Sequence, residues 1–401
     1  MEYSTLEAWQ GMSESGIVYR LGSLYDRFQG MSDPRKAKGK QYSLLTLLVL
    51  IFLGKLSGKD KPVEIADWAK NHAKEIVPML GLKRSRMPHH NTYRRVFQSI
   101  VSQEEFEGLL EEYHQQDTKA EGEVLSIDGK ALRGSWVTGQ ERGDYVLSVY
   151  EGQSQQVKVQ EVVESKENEI VAAPKALERV NLAGKIITGD AMHTQRVISA
   201  QILRGNGDYL WPVKENQPQA YQAIQQLFTC DQPKPGFGKI ETDFQSVKQV
   251  SCGHGRIEIR TIQTSEMLND YLDLPGLGQV YRLERKFFWL RQGQTYKTSC
   301  EIEFGMTSLK RKQASPAKVL KVRQAHWQIE TGLHYRRDVT FHEDATRMTV
   351  GAAARILSIV HNLVLGLLKQ AGFTNAAQGR RWFEGHLQEA FSLLCSGNSL
   401  S

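Results

Sequence analysis

Two short apolar strands in this sequence each close on an aspartate. In Ser126-Ile127-Asp128-Gly129-Lys130 the acid ends a run that begins at Val124, and in Ile187-Thr188-Gly189-Asp190-Ala191 it ends one that begins at Lys185. Ligands of open α/β sheets bind at strand ends of this kind. Two carboxylates converging there repel each other, and a hard divalent cation, Mg²⁺ or Mn²⁺, is the natural compensation for oxygen ligands. Taken singly, each Asp has a plainer reading as a turn or cap residue; the pair is what points to a metal.

A phosphoryl-transfer site with two ions needs a further acid, because ions about 3.5–4 Å apart share ligands. The run Arg323-Gln-Ala-His326-Trp-Gln-Ile-Glu330-Thr-Gly-Leu-His334-Tyr-Arg-Arg337 offers one in Glu330. Spacings of three and four put Arg323, His326, Glu330, His334 and Arg337 on one face of a helix, an acid flanked by cations that suit phosphates. Glu343-Asp344, after Phe341, is the rival source of the third carboxylate. Cys252-Gly-His254, with Cys230 and Cys300, lacks the paired spacing of a zinc site.

The elements that must position these acids follow from periodicity. Residues up to about 117 read as helical: Leu44 to Leu53 is apolar nearly all round, Pro62 to Lys74 is amphipathic, and a further run follows Asn91-Thr92 through Tyr93, Val96, Phe97 and Ile100. A short helix, a turn at Gly81 and a second helix bearing Arg94 and Arg95 have the outline of a helix-turn-helix, whose second helix would lie in a major groove. Beyond Lys119 strands and helices alternate, as in an α/β mixed sheet covered by helices. Four strands between Lys214 and Thr307 read as an antiparallel β insertion, and Ser315-Pro316 opens a helix from about Ala317 to Tyr335. The expected domains are 1–117, helical; 118–214, the first part of an α/β core; 215–307, the insertion; 308–375, the second part of the core with Glu330; and 376–401, a C-terminal tail.

Charge and composition narrow the function. Residues 31–100 carry 14 Lys or Arg against 5 Asp or Glu, and Met306–Arg355 carry 10 against 4, so a polyanion can touch the chain at two places. The 401 residues, 40% hydrophobic and 24% charged, exclude collagen-like, coiled-coil and wholly disordered chains. The longest apolar stretch, Leu44–Leu53, is too short to span a bilayer, and Glu2 and Glu7 stand where a signal peptide would begin. Four dispersed cysteines offer no disulfide framework. The expected location is the cytoplasm, at the nucleoid.

The motifs together resemble the DDE transposases of bacterial insertion sequences. Ser126 to Ser135, Glu164 to Ile170, Ile187 to Gln195, Asp208 to Gln217, His326 to Glu330 and Asp338 to Asp344 occur in the family's order, over about residues 30 to 370. The nearest branch is the As-one type, which includes the H-repeat-associated proteins. The resemblance implies an RNase H-like core with an inserted β domain, a triad of Asp128, Asp190 and Glu330, and a DNA-contacting basic residue at Arg337. Where the wider family has Tyr and Arg before the Glu, this chain has Arg323 and His326, and Thr331 replaces the branch's usual Asn.

The reading that follows is a DNA transposase using two Mg²⁺ ions, with Mn²⁺ as substitute. Asp128, Asp190 and Glu330 would be both catalytic and metal-binding, and Arg94, Arg95, Arg323, His326 and Arg337 would contact DNA. Residues 31–117 would recognise the terminal inverted repeats, and the fragment from Met1 to about Asp117 would fold and bind DNA alone. Joining two ends to target DNA calls for a homodimer or higher oligomer, with no membrane partner. The rivals are an RNase H-like nuclease without strand transfer and a catalytically inactive DNA-binding relic.

Overall fold

The computed structural model describes residues 10–114, 122–139, 143–164, 168–229, 242–253, 255–291 and 294–397. In chain order the elements are β1 (Gln10–Met12), β2 (Val18–Arg20), α1 (Leu24–Gln29), α2 (Leu44–Leu56), α3 (Pro62–Asn71), α4 (Ala73–Met79), α5 (His90–Arg95) and α6 (Gln103–His114). Then come β3 (Val124–Ala131), β4 (Tyr145–Glu151), β5 (Gln156–Val162), α7 (Glu169–Glu178), β6 (Ile186–Thr188), α8 (Arg196–Arg204), β7 (Asp208–Val213) and α9 (Pro218–Thr229). The chain ends with β8 (Gln245–Gly253), β9 (Arg256–Ser265), β10 (Gln279–Arg291), β11 (Gln294–Thr307), α10 (Pro316–His326), α11 (Ala353–Gln370), α12 (Ala376–Glu384) and α13 (Leu387–Cys395). Cys230 and His254 lie outside the described residues.

The fold is mixed α/β and divides into two compact units, each discontinuous in sequence. The first takes the described residues within Met1–Thr118, Gly129–Lys166 and Glu330–Ser401; the second takes those within Lys119–Asp128 and Glu167–Ile329.

In the first unit α2 is the central helix. Ser43 caps it by accepting from the Thr46 amide, and its leucines other than the half-buried Leu45, its isoleucine and its phenylalanine are buried, as a nearly all-round apolar helix requires. Helices α1, α3, α11, α12 and α13 pack around it, and α6 and α11 lie on the antiparallel β4–β5 pair. The segment after 375, expected as a tail, thus supplies two helices, with Phe383, Ala390 and Leu394 in the core. The N-terminal hairpin of β1 and β2 is a further departure from the all-helical expectation.

In the second unit the strand order is β3-β6-β7-β11-β10-β9-β8. The pairs β3–β6 and β6–β7 are parallel, and every later pair is antiparallel, so the four long strands expected as an insertion join the sheet through β11 on β7. Helix α10 starts with Pro316 at its first turn, where the missing amide costs nothing. Its Val319, Leu320 and Val322 pack on Ile186, Leu210, Ile262, Tyr281 and Leu283 from four strands.

Candidate active site

In the second unit the register of two parallel strands aligns the two aspartates. Ser126 of β3 stands opposite Thr188 of β6, their hydroxyl oxygens 3.1 Å apart. Asp128 and Asp190 each follow two residues later, just past the last paired positions: Asp190 follows the end of β6, whereas Asp128 lies within β3, which runs on to Ala131 and does not close at the acid as expected. Gly189 makes this possible, because a Cβ there would lie 2.8 Å from Ile127 Cγ1 and 3.0 Å from the His193 ring. Asp190 has extended backbone (φ −70°, ψ 166°) and precedes the short 3₁₀ turn Ala191–His193.

The sequence reading placed His326 against DNA, but it is buried against this site. Its Nδ1 lies 3.2 Å from Thr188 Oγ1 and its Nε2 3.8 Å from Asp190 Oδ1. The imidazole beside Asp190 holds the carboxyl below the ordinary range, against the burial that would raise it, with Lys214 and Arg323 adding their charge. Burial keeps His326 itself below its ordinary value, so it serves as a neutral partner. Beside Asp190 opens a cavity of about 710 Å³, lined by Lys214, Asn216, Tyr221, Arg285 and Glu303 among others.

Arg323 also departs from expectation: it is buried, and its Nε and terminal nitrogen donate to the two Glu303 oxygens at 2.6 and 2.8 Å. A guanidinium committed to a carboxylate in this bidentate way is not available to a phosphate. Trp327 is half-buried beneath two cations, with the Arg285 guanidinium 4.0 Å from its ring centroid, and Trp211 is a core residue whose Nε1 donates to Ser199 Oγ.

In the first unit Glu330 is exposed near the start of a π-wound segment, Ile329–His334, and its Oε2 lies 3.7 Å from His334 Nδ1. The single face expected from 323 to 337 does not exist, because α10 ends at His326 and the chain continues in two π turns, Ile329–His334 and Arg336–Thr340. Bonds to the fifth residue add one residue per turn and rotate each later side chain away from an α-helical stripe.

Arg337, expected on DNA, is 0% exposed; its nitrogens donate to both Glu343 oxygens at 2.7–3.0 Å and to Ser358 Oγ at 2.9 Å. Glu343, the rival third carboxylate, also accepts from His361 Nδ1 at 2.7 Å. Burial would raise its carboxyl, but Arg337 and His361 override it and hold it well below the ordinary range. Asp338, Glu343 and Asp344 bring carboxylate oxygens within 4.8 Å of one another, yet the cations are already protein groups: Lys130 Nζ sits 2.6 Å from Asp338 and 3.7 Å from Asp344. Nothing in the spacing of the sequence points to these partners, although Lys130 stands two residues after Asp128.

Arg94 and Arg95 are exposed on α5, as expected of nucleic-acid contacts. The helix starts at His90, earlier than the expected Asn91-Thr92 cap, with the His89 ring accepting from the Asn91 amide. Residues 80–89 separate α4 from α5, so the short turn of a helix-turn-helix is replaced by a longer loop.

A family model described as "Transposase DDE domain" matches residues 119–367. The chain belongs to this family. Membership implies an RNase H-like fold, DNA binding and use of a divalent metal. A second model, described as DDE_Tnp_1-associated, matches residues 25–114. "Putative transposase YncI" of Escherichia coli O157:H7 is 30% identical over 353 residues, 87% of this chain and 88% of that protein. "H repeat-associated putative transposase YhhI" of Escherichia coli K12 is 27% identical over 356 residues, 87% of this chain and 90% of the relative. A protein of Xanthobacter autotrophicus named only for its place in the dhlA 3′ region is 28% identical over 289 residues, 70% of this chain and 92% of its own. Among the described residues of this DDE family member, no helix is long and apolar enough to cross a membrane.

Proposed function

We propose that the chain is a DNA transposase that cuts the ends of an insertion sequence and joins them to target DNA, acting at the nucleoid with Asp128, Asp190 and Glu330 as its carboxylate triad. The observation that carries the reading is the register of β3 and β6, which sets the two aspartates at equivalent positions, each two residues past the last paired residue of neighbouring strands. The donor set fits the metal that the family implies: hard carboxylate oxygens, with Asp190 kept ionised by His326. Two Mg²⁺ ions held there would supply activation of the attacking hydroxyl and neutralisation of the leaving oxygen. The protein's own part is positional. Gly189 lets Asp190 close on the sheet, His326 and Thr188 steady it, and Lys214 in the adjoining cavity offers charge to a strand's phosphates. The reading requires no covalent protein nucleophile, and joining two ends calls for a homodimer or larger assembly on DNA.

The test is incubation with supercoiled DNA carrying candidate element ends, in Mg²⁺ or Ca²⁺, with mapping of the ends. The expected result is Mg²⁺-dependent cutting at the element boundary and joined products from a 3′-hydroxyl donor. Asp128→Ala, Asp190→Ala and Glu330→Ala should each abolish cutting and still bind the ends. Cutting with no joined product would make the chain a nuclease, and substantial cutting by Glu330→Ala would remove that residue from the triad.

A further inference from the structure

The basic segment of the first unit folds around a concavity of about 630 Å³ that, among the described residues, no carboxylate lines. Its walls include Arg35, Lys38, Lys70, Arg86, His89 and Arg95, drawn from the loop before α2, the end of α3, the loop before α5 and α5 itself. The walls are fixed by groups that are not free for a ligand. Arg35 donates to both Asp33 oxygens at 2.8–2.9 Å and to the Tyr42 carbonyl at 2.9 Å. The Tyr42 hydroxyl donates to the Arg86 carbonyl at 2.6 Å, tying the two loops together. Lys70 is balanced by Asp67 at 3.2 Å.

Lys38, Arg86 and Arg95 are different: each is exposed, and none pairs with a carboxylate among the described residues. Three uncompensated cations lining one hollow repel one another and raise a local positive potential that an anion relieves. We infer that this hollow binds the phosphodiester backbone of a DNA strand, with Lys38, Arg86 and Arg95 contacting phosphates and Arg35 and Tyr42 holding the walls. The inference rests on the DNA-binding reading above and deepens it, since it distinguishes two neighbours on one short helix: Arg95 lines the hollow and Arg94 does not. A strand is favoured over an isolated anion because the space is that of a ligand larger than one phosphate, and because further cations, Lys36, Lys40, Lys83 and Arg84, flank it in sequence.

The experiment is anisotropy titration of a labelled random-sequence duplex of about 30 base pairs with the full chain in EDTA, across a salt series. Lys38→Ala, Arg86→Ala and Arg95→Ala should each weaken binding several-fold and reduce the slope of log affinity on log salt by about one. The charge-keeping Arg86→Lys and Arg95→Lys should retain most of the slope, and Arg94→Ala should change it less than Arg95→Ala. Circular dichroism of each variant should match the parent, since the three side chains are exposed. Unchanged affinity and slope in the triple Ala variant, with the parent binding well, would overturn the hollow and leave the DNA-binding reading intact. A parent chain that binds no duplex would overturn both. Thermal stabilisation by inorganic phosphate that the triple variant loses, with duplex binding unaltered, would reassign the hollow to a small anion and also overturn the inference.

Discussion

The contact between Arg337 and Glu343 reverses what a charged residue seven positions after Glu330 suggests. A surface Arg replaced by Ala leaves the fold alone and loses a phosphate; a buried one strands its partner. With Glu343 buried and Arg337 0% exposed, Arg337→Ala leaves a carboxylate with His361 as its sole remaining ion-pair partner among the described residues. Breaking a buried pair of this kind costs about 3–5 kcal/mol. The expected outcome is a large loss of stability in urea unfolding, with DNA affinity in the surviving folded fraction unchanged; a stable variant with weakened DNA binding would restore the phosphate contact. The same network fixes the state of His361. Its Nε2 is 2.9 Å from Lys55 Nζ and its Nδ1 is 2.7 Å from Glu343, so a neutral ring that accepts from the ammonium and donates to the carboxylate satisfies both neighbours.

At the scale of elements, the π turn carrying Glu330 is held by a close approach. A Cβ at Gly332 would lie 2.5 Å from the Tyr150 hydroxyl of β4 but 3.4 Å from the ring carbon that bears it. That hydroxyl is buried with no hydrogen-bond partner among the described residues. Gly332→Ala should therefore destabilise by about 1–3 kcal/mol, Tyr150→Phe should be neutral or stabilising, and the double variant should recover most of the loss. Thermal melts of the four proteins close the cycle, and additive effects would show that the contact is not the cause. The sequence left this turn illegible for a physical reason: π winding has no apolar repeat of its own, and the spacing from Arg323 to Arg337 satisfies an α-helix equally well. Elements with a continuous apolar run or a Pro start were legible. The all-round apolar α2 and the strand that leads into Asp190 came close to their observed limits, as did the Pro-marked start of α10, though not its end. The partners of Arg323, Arg337 and Lys130 were not legible, because Glu303, Glu343 and Asp338 look like ordinary solvated acids until the chain brings them back.

For the whole molecule, buried histidines set the acid limit. Burial pushes His361 and His114 down to about 3 from an ordinary 6.5. As pH falls below 6.5 the unfolded chain takes up protons at both rings that the folded chain refuses, and below the ordinary Glu range it takes up another at Glu343. Stability should therefore be greatest above pH 6.5 and decline toward pH 3, each group contributing a slope of about 1.4 kcal/mol per pH unit. His361→Asn should flatten the melting-temperature profile between pH 6.5 and 4.5 relative to its own value at pH 7.5; a parallel profile would place the titration elsewhere. The division into units bears on truncation as well. Lys55 of α2 bonds to His361, and Asp60 and the Lys55 carbonyl accept from Arg380. A fragment ending near Asp117 lacks these partners and the apolar cover of α11, α12 and α13, contrary to the expectation that it folds alone. It should show no cooperative melt by circular dichroism, whereas a sharp transition would establish an autonomous domain.

The late arrival of α11 to α13 also has a consequence in time. Helix α2 is apolar on all sides and is finished by Leu56, but three of the five helices that pack around it begin only at Ala353 or later. At about 5–20 residues per second a ribosome needs roughly 15–60 s to deliver them. Throughout that interval the nascent chain carries a sticky leucine-rich cylinder without its final shelter, a substrate for holdase chaperones. Yield of the intact protein should thus depend on chaperone supply and on slow, cool synthesis more than on the stability that the finished molecule attains.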